Sequence, residues 1–134
     1  MNWDSMVDMK EGLQSMIGRT FVRVEGSVND DEMLFVDQNG ERFLFSHRQD
    51  CCEHVRIEDV VGDLQDLVGE PLLVAEEVEG SVPADFEDEY TGSYTFTFYK
   101  FATRKGYVDV RWLGESNGYY SESVDLFHDR PAVV

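Results

Sequence analysis

The stretch Gln49-Asp50-Cys51-Cys52-Glu53-His54 holds both cysteines of the chain, and His47 lies two residues before it. His47, Cys51, Cys52 and His54 together offer two nitrogens and two sulfurs, a donor set that suits zinc. The spacing opposes that reading. Structural zinc draws its ligands as separated pairs, and neighbouring cysteines in an extended chain point to opposite faces. Both reach one ion only where the backbone kinks. The same residues could supply a Cys–His nucleophile. Asp50 and Glu53 oppose it, because nearby negative charge disfavours thiolate. The ordinary reading is one buried cysteine, one partly exposed cysteine and a polar turn. No cofactor is expected, with zinc on these four residues as the alternative. A disulfide between adjacent cysteines is strained, and both thiols should be reduced in a cytosolic setting.

Gly114-Glu115-Ser116-Asn117-Gly118 spells the nucleophile elbow G-x-S-x-G. That motif works between a strand and a helix of a large parallel sheet. Strand-like residues follow here and the chain is short, so an Asn-Gly hairpin accounts for the letters better. Catalytic residues are therefore not expected. The tip Glu115-Ser116-Asn117-Gly118-Tyr119-Tyr120-Ser121 has the residue types of adaptable binding loops. Glu115, Asn117, Tyr119 and Tyr120 are its candidate partner contacts. No P-loop, dinucleotide-binding glycine pattern or calcium loop is present. Asp85-Phe86-Glu87-Asp88-Glu89 lacks the spaced ligands of a dedicated cation site.

These groups need elements to position them. Residues 5–17 read as a helix, with Met6, Met9, Leu13, Met16 and Ile17 on one stripe. Asp4 or Ser5 suits its N-cap, and Gly18 suits its C-terminal left-handed position. The stripe is core in the ordinary reading and a partner or self-association surface in the sharper one. Strands are expected at Thr20–Val24, Met33–Val36 and Glu41–Ser46. Asn39-Gly40 predicts a two-residue turn that pairs Asp37 with Arg42 and Val36 with Phe43. Val55–Ile57 reads as a short strand, and Asp63 as the cap of a short helix over Leu64–Val68, ended by Gly69 and Pro71. Leu72–Val78 reads as a strand and residues 79–91 as an acidic surface loop. Tyr94–Tyr99 alternates aromatic and smaller polar residues, as a strand with one buried face does. Arg104-Lys105-Gly106 should turn the chain, after which Val108, Val110 and Trp112 share a face. A second hairpin at Asn117-Gly118 should lead into Tyr119–Leu126. The fold class is α+β: one domain over 1–134, an antiparallel β-sheet, an N-terminal helix and a short second helix.

Charge is the strongest bulk signal. The chain of 134 residues carries 28 acids against 11 bases, a net charge of −17. Ile57 to Tyr99 holds no Lys or Arg and twelve acids. Such a field repels nucleic acid and anionic membranes and attracts basic proteins. The ordinary reading is a well-solvated surface; the sharper one is an acidic face for a basic partner. Glu76, Glu77, Glu79, Asp85, Glu87, Asp88 and Glu89 are its candidate contacts. The chain opens without a basic and apolar leader, and no apolar run approaches the ~20 residues of a membrane helix. A cytoplasmic location is expected.

Asp50-Cys51-Cys52-Glu53 and Gly114-Glu115-Ser116-Asn117-Gly118-Tyr119-Tyr120-Ser121 resemble a small domain family without an assigned activity. The similarity runs from about Ile17 to Asp125. It includes Ile57-Glu58-Asp59, Gly62-Asp63-Leu64, Leu67-Val68-Gly69 and Tyr99-Lys100-Phe101. The family is associated with bacteriophage and prophage genomes. The resemblance implies a phage setting, and so a host-cell cytoplasm, and supplies no catalytic residue. The N-terminal helix lies outside it and reads as an addition. The leading expectation is a non-enzymatic acidic inhibitor of a basic host protein, in concrete form an anti-CRISPR or anti-restriction protein working by DNA mimicry. One alternative is a metal- or thiol-dependent enzyme centred on Asp50–His54. Another is a structural or homo-oligomeric accessory protein using the Met stripe.

Overall fold

The computed structural model describes residues 5–87 and 92–131. Among them, nine strands run β1 (Met6–Val7), β2 (Phe21–Glu25), β3 (Glu32–Asp37), β4 (Arg42–Ser46), β5 (His54–Val61), β6 (Val74–Val78), β7 (Ser93–Thr103), β8 (Gly106–Ser116) and β9 (Asp125–Asp129). One helix, α1 (Met9–Met16), and one 3-10 turn (Leu64–Leu67) complete the set. The strands form two antiparallel sheets, ordered β1-β9-β4-β3-β2 and β5-β8-β7-β6. The molecule is richer in sheet than the α+β expectation implied.

The inner faces of the two sheets share one core. Phe35 of β3 meets Phe101 of β7 with ring centroids 4.9 Å apart, and Phe45 of β4 meets Tyr99 at 5.3 Å. Trp112, Val110 and Ile57 complete the second sheet's side, all essentially inaccessible. Each such side chain contributes ~1.5–3 kcal/mol through burial, and aromatic pairs add ~0.5–1.5 kcal/mol. Leu13 and Met16 of α1 belong to the same core. Gly12 lets α1 lie against β9: a Cβ there would come within 2.5 Å of the Leu126 side chain.

Several expectations need correction. The helix begins at Met9 rather than residue 5, because Met6 and Val7 pair with Phe127 and Leu126 of β9. Its cap is Asp8, whose carboxylate accepts the Glu11 amide at 3.0 Å. The five-residue stripe divides: Leu13 and Met16 are buried, whereas Met6 and Ile17 are exposed. The β3–β4 register is one residue from that expected, with Val36 opposite Arg42 and Phe35 opposite Phe43. Only Gly40 takes a positive φ at this turn, and Asp37 caps it by accepting the Asn39 and Glu41 amides, each at 2.9 Å. That makes a three-residue loop with a glycine bulge. Asp37 consequently pairs with Arg19, and Arg42 with Asp129.

β7 alternates as expected, but Tyr99 and Phe101 supply its buried face. Tyr94, Phe96 and Phe98 lie on the other face, where Phe86 packs on Tyr94 and Phe96 at 4.8 and 4.9 Å. Asn117-Gly118 makes no hairpin. The chain crosses between the sheets there, and β9 pairs with β4 and β1 instead of β8. The expected strand over Leu72–Val78 begins at Val74, and the short helix is the 3-10 turn, capped by Asp63.

Candidate functional site

Glu53 organises the cysteine turn. Its side chain is fully buried, and one oxygen, Oε1, accepts the Asp50 amide at 2.6 Å and the Cys51 amide at 3.1 Å. Burial pushes this carboxyl up, but the two amides and His47 outweigh it and hold it below the usual carboxylate range. Gln49 Nε2 ties the turn from outside, donating to the carbonyls of Cys51 at 3.0 Å and Glu53 at 2.6 Å. These bonds supply the kink that an extended chain lacks. Both cysteines are exposed, and their sulfurs lie 2.7 Å apart on one side. The expected buried cysteine is therefore absent from this turn. The Cys52 thiol is pushed up by its hydrogen bond with Cys51, then by desolvation and by the charges of Cys51 and Glu53.

The two unusual strings meet here. His47 Nδ1 faces the Ser123 carbonyl at 2.7 Å, so that nitrogen carries a proton and donates. Its Nε2 stands 3.3 Å from Glu53 Oε1, an ion-pair distance without hydrogen-bond alignment. The Tyr120 hydroxyl is pushed up first by a hydrogen bond with Cys51 and then by charge on Cys51. Glu122 gathers the ends of β7 and β8, accepting from Ser93 at 3.2 Å, Thr95 at 2.8 Å and Ser116 at 2.5 Å. Ser116 is thus bound to a carboxylate in a buried position rather than presented as a nucleophile. Glu115 is buried against Arg56 at 2.8 Å and is not a surface acid. Asn117 and Tyr119 are exposed.

The zinc-type quartet does not assemble. His47 is turned inward to Ser123 and Glu53, while His54 opens β5 beside Arg56. Among the described residues, no three His, Cys, Asp or Glu side chains converge as a metal site.

The acidic candidates lie elsewhere, along β6 and the segment after it. β6 is an outer strand of its sheet. Glu76, Glu77, Glu79, Asp85 and Glu87 are exposed. No base lies within ion-pair distance of these five among the described residues, although Glu76 is in register with Lys100. Asp88 and Glu89 lie outside the described residues. Other acids are consumed internally: Asp37 and Glu41 by Arg19, Glu70 by Arg104, Glu58 by Arg111. Glu77 also adds its charge to burial in pushing the Tyr99 hydroxyl far up.

A groove of about 570 Å³ separates α1 from β6. Met9, Leu13 and Ile17 line its helix side, and Asp8, Glu76 and Glu77 supply three acids against the single base Lys10. Sequence reasoning missed this groove, because it depends on where α1 docks. It also missed Glu53 and Glu122 as organisers, since one carboxylate among 28 acids carries no mark of burial.

No helix among the described residues is long and apolar enough to cross a membrane. A family model described as a domain of unknown function, DUF7448, matches residues 14–126. The chain belongs to that family, and the matched span agrees closely with the similarity expected from about Ile17 to Asp125. The model leaves out most of α1, although α1 packs into the core. No curated protein and no solved structure matches the chain.

Proposed function

We propose that this member of the DUF7448 family is a non-enzymatic interaction protein that holds an extended cationic segment of a partner protein along β6. The observation that carries the reading is the outer position of β6 in its sheet, beside the groove it shares with α1, with Glu76, Glu77 and Glu79 exposed and lacking ion-pair partners among the described residues. An outer strand is where an added strand can pair. The adjoining groove supplies apolar side-chain contact, and its acid excess sets the sign of the partner. With a net charge of −17, direct nucleic-acid binding is disfavoured. A basic host protein that handles nucleic acid is the fitting partner, and the resemblance to a phage-associated family suggests anti-CRISPR or anti-restriction inhibition as the concrete form. Recognition of a cationic segment suits the geometry better than DNA mimicry. A mimic needs a row of free acids at phosphate-like spacing, and many acids here already serve arginines. Self-association through the Met stripe is disfavoured, because Leu13 and Met16 face inward.

The test is anisotropy of a labelled Arg/Lys-rich peptide of about ten residues, titrated at low and high salt. Each exposed acid contributes ~0.2–1 kcal/mol to such a contact, so Glu76→Gln/Glu77→Gln/Glu79→Gln together should weaken binding about 3- to 150-fold. Control replacement of Asp31 and Glu32, both exposed near the start of β3, should leave affinity nearly unchanged. Equal loss from both sets would overturn the reading.

A further inference from the structure

Cys51 and Cys52 are exposed, share one side of a turn and bring their sulfurs to 2.7 Å, inside ordinary van der Waals contact. The turn is set by three groups that are not thiols: the buried Glu53 carboxylate, the Gln49 amide, and His47 behind Glu53. The conformation that brings the sulfurs together is therefore built before any sulfur chemistry occurs. A tetrahedral ion with metal–sulfur bonds of ~2.3 Å needs its sulfurs ~3.8 Å apart, whereas a disulfide needs ~2.05 Å. The observed spacing is nearer the second, and the described residues offer no converging third ligand.

We infer that Cys51 and Cys52 form a redox modification site, a vicinal dithiol that closes to a disulfide by exchange with a small disulfide of the glutathione type. One protein thiolate attacks the small disulfide, forming a mixed disulfide and expelling one small thiolate. The neighbouring thiolate then attacks the protein-bound sulfur, forming the Cys51–Cys52 bond and expelling the second small thiolate. The protons lost by the two cysteines pass to the two thiolates released. Two protein thiols are oxidised and one small disulfide is reduced to two thiols, so atoms and electrons balance. Neighbouring carboxylates slow the first attack by disfavouring thiolate, and the prebuilt turn speeds the second.

The test treats the folded full-length protein with oxidised glutathione at neutral pH, followed by intact mass and thiol titration under non-reducing conditions. The expected result is loss of both thiols, a mass lower by two hydrogens, and no retained glutathione. Cys51→Ser and Cys52→Ser should each retain one glutathione. Glu53→Gln loosens the turn and should release the second glutathione about tenfold more slowly. Gln49→Ala, which leaves the buried carboxylate in place, should slow it in the same direction. Thermal melts of each variant report whether the fold survives. A wild-type protein that keeps a glutathione adduct, forms cross-linked dimers or leaves both thiols unreacted overturns the inference. Unchanged kinetics in folded Glu53→Gln and Gln49→Ala would overturn the role given to the turn.

Discussion

Replacing Asp37 should cost more than any surface carboxylate in the chain. Its side chain is 2% exposed. Oδ1 accepts the Asn39 and Glu41 amides at 2.9 Å each, and Oδ2 accepts Arg19 Nη1 at 2.9 Å. Arg19 also reaches Glu41 at 2.6 Å and lies over the Phe43 ring at 5.1 Å. Glu41 in turn takes His128, which stacks on Phe43 at 4.1 Å. Asp37 therefore joins the β3–β4 turn to the segment after α1. Hydrogen bonds to a charged group contribute ~1.5–3 kcal/mol each, but water can reach the turn amides after truncation. Asp37→Ala should then cost ~3–4 kcal/mol. Asp37→Asn keeps a neutral acceptor for the amides and loses the Arg19 pair, so it should cost ~1.5–3 kcal/mol. With an m-value near 2 kcal/mol/M, the urea midpoint should fall by about 1.5–2 M for the alanine variant and about 1 M for the asparagine variant. A double-mutant cycle with Arg19→Ala should give a coupling of at least ~1 kcal/mol. A loss below ~1 kcal/mol for Asp37→Ala at unchanged m, or additive single losses, would refute the reasoning.

Acid should unfold the protein through identifiable carboxyls. Hydrogen bonds from Arg23 and Arg104 hold Glu25 and Glu70 below the ordinary value. In Glu41 and Glu53 burial works the other way and is outweighed, by Arg19 and His128 in the first and by backbone amides and His47 in the second. A depressed folded value contributes stability that is present above the unfolded value of ~4.3 and is lost as pH falls through the folded value. Urea midpoints from pH 7 to pH 3 should therefore drop steeply below pH ~4.3, and greater stability at pH 3 would contradict this. Gly114→Ala should destabilise by ~1–3 kcal/mol, because a Cβ would strike the Glu122 carbonyl and also meet the Glu122 Cβ at 2.8 Å. Thermal melting checks it, and a wild-type melting temperature would count against the close approach.

Local chemistry was readable in the residues. Asp63 caps its turn, Gly18 takes a positive φ, and Arg104-Lys105 joins β7 to β8 with Thr103 opposite Gly106. Each of these is set by neighbours in the chain. The misread features depend on distant ones. The β3–β4 register follows from the Asp37 carboxylate, whose burial depends on Arg19. The buried face of β7 is Tyr99 and Phe101 because Phe35 and Phe45 of the other sheet face them, and Tyr94, Phe96 and Phe98 are equally aromatic. β9 leaves β8 because Phe43 and Phe45 offer His128 and Leu126 their partners. The cysteine turn stood out by its residue types, but adjacent letters could not reveal that Glu53 turns inward and kinks the chain.

Hydrogen exchange of the full-length protein, with and without a saturating Arg/Lys-rich peptide, tests the central claim most directly. Residues 74–79 should gain protection on binding, as an added strand pairs along β6, and the gain should fade as salt rises. Protection confined to other strands, or none along β6 while the peptide is bound, would contradict the account.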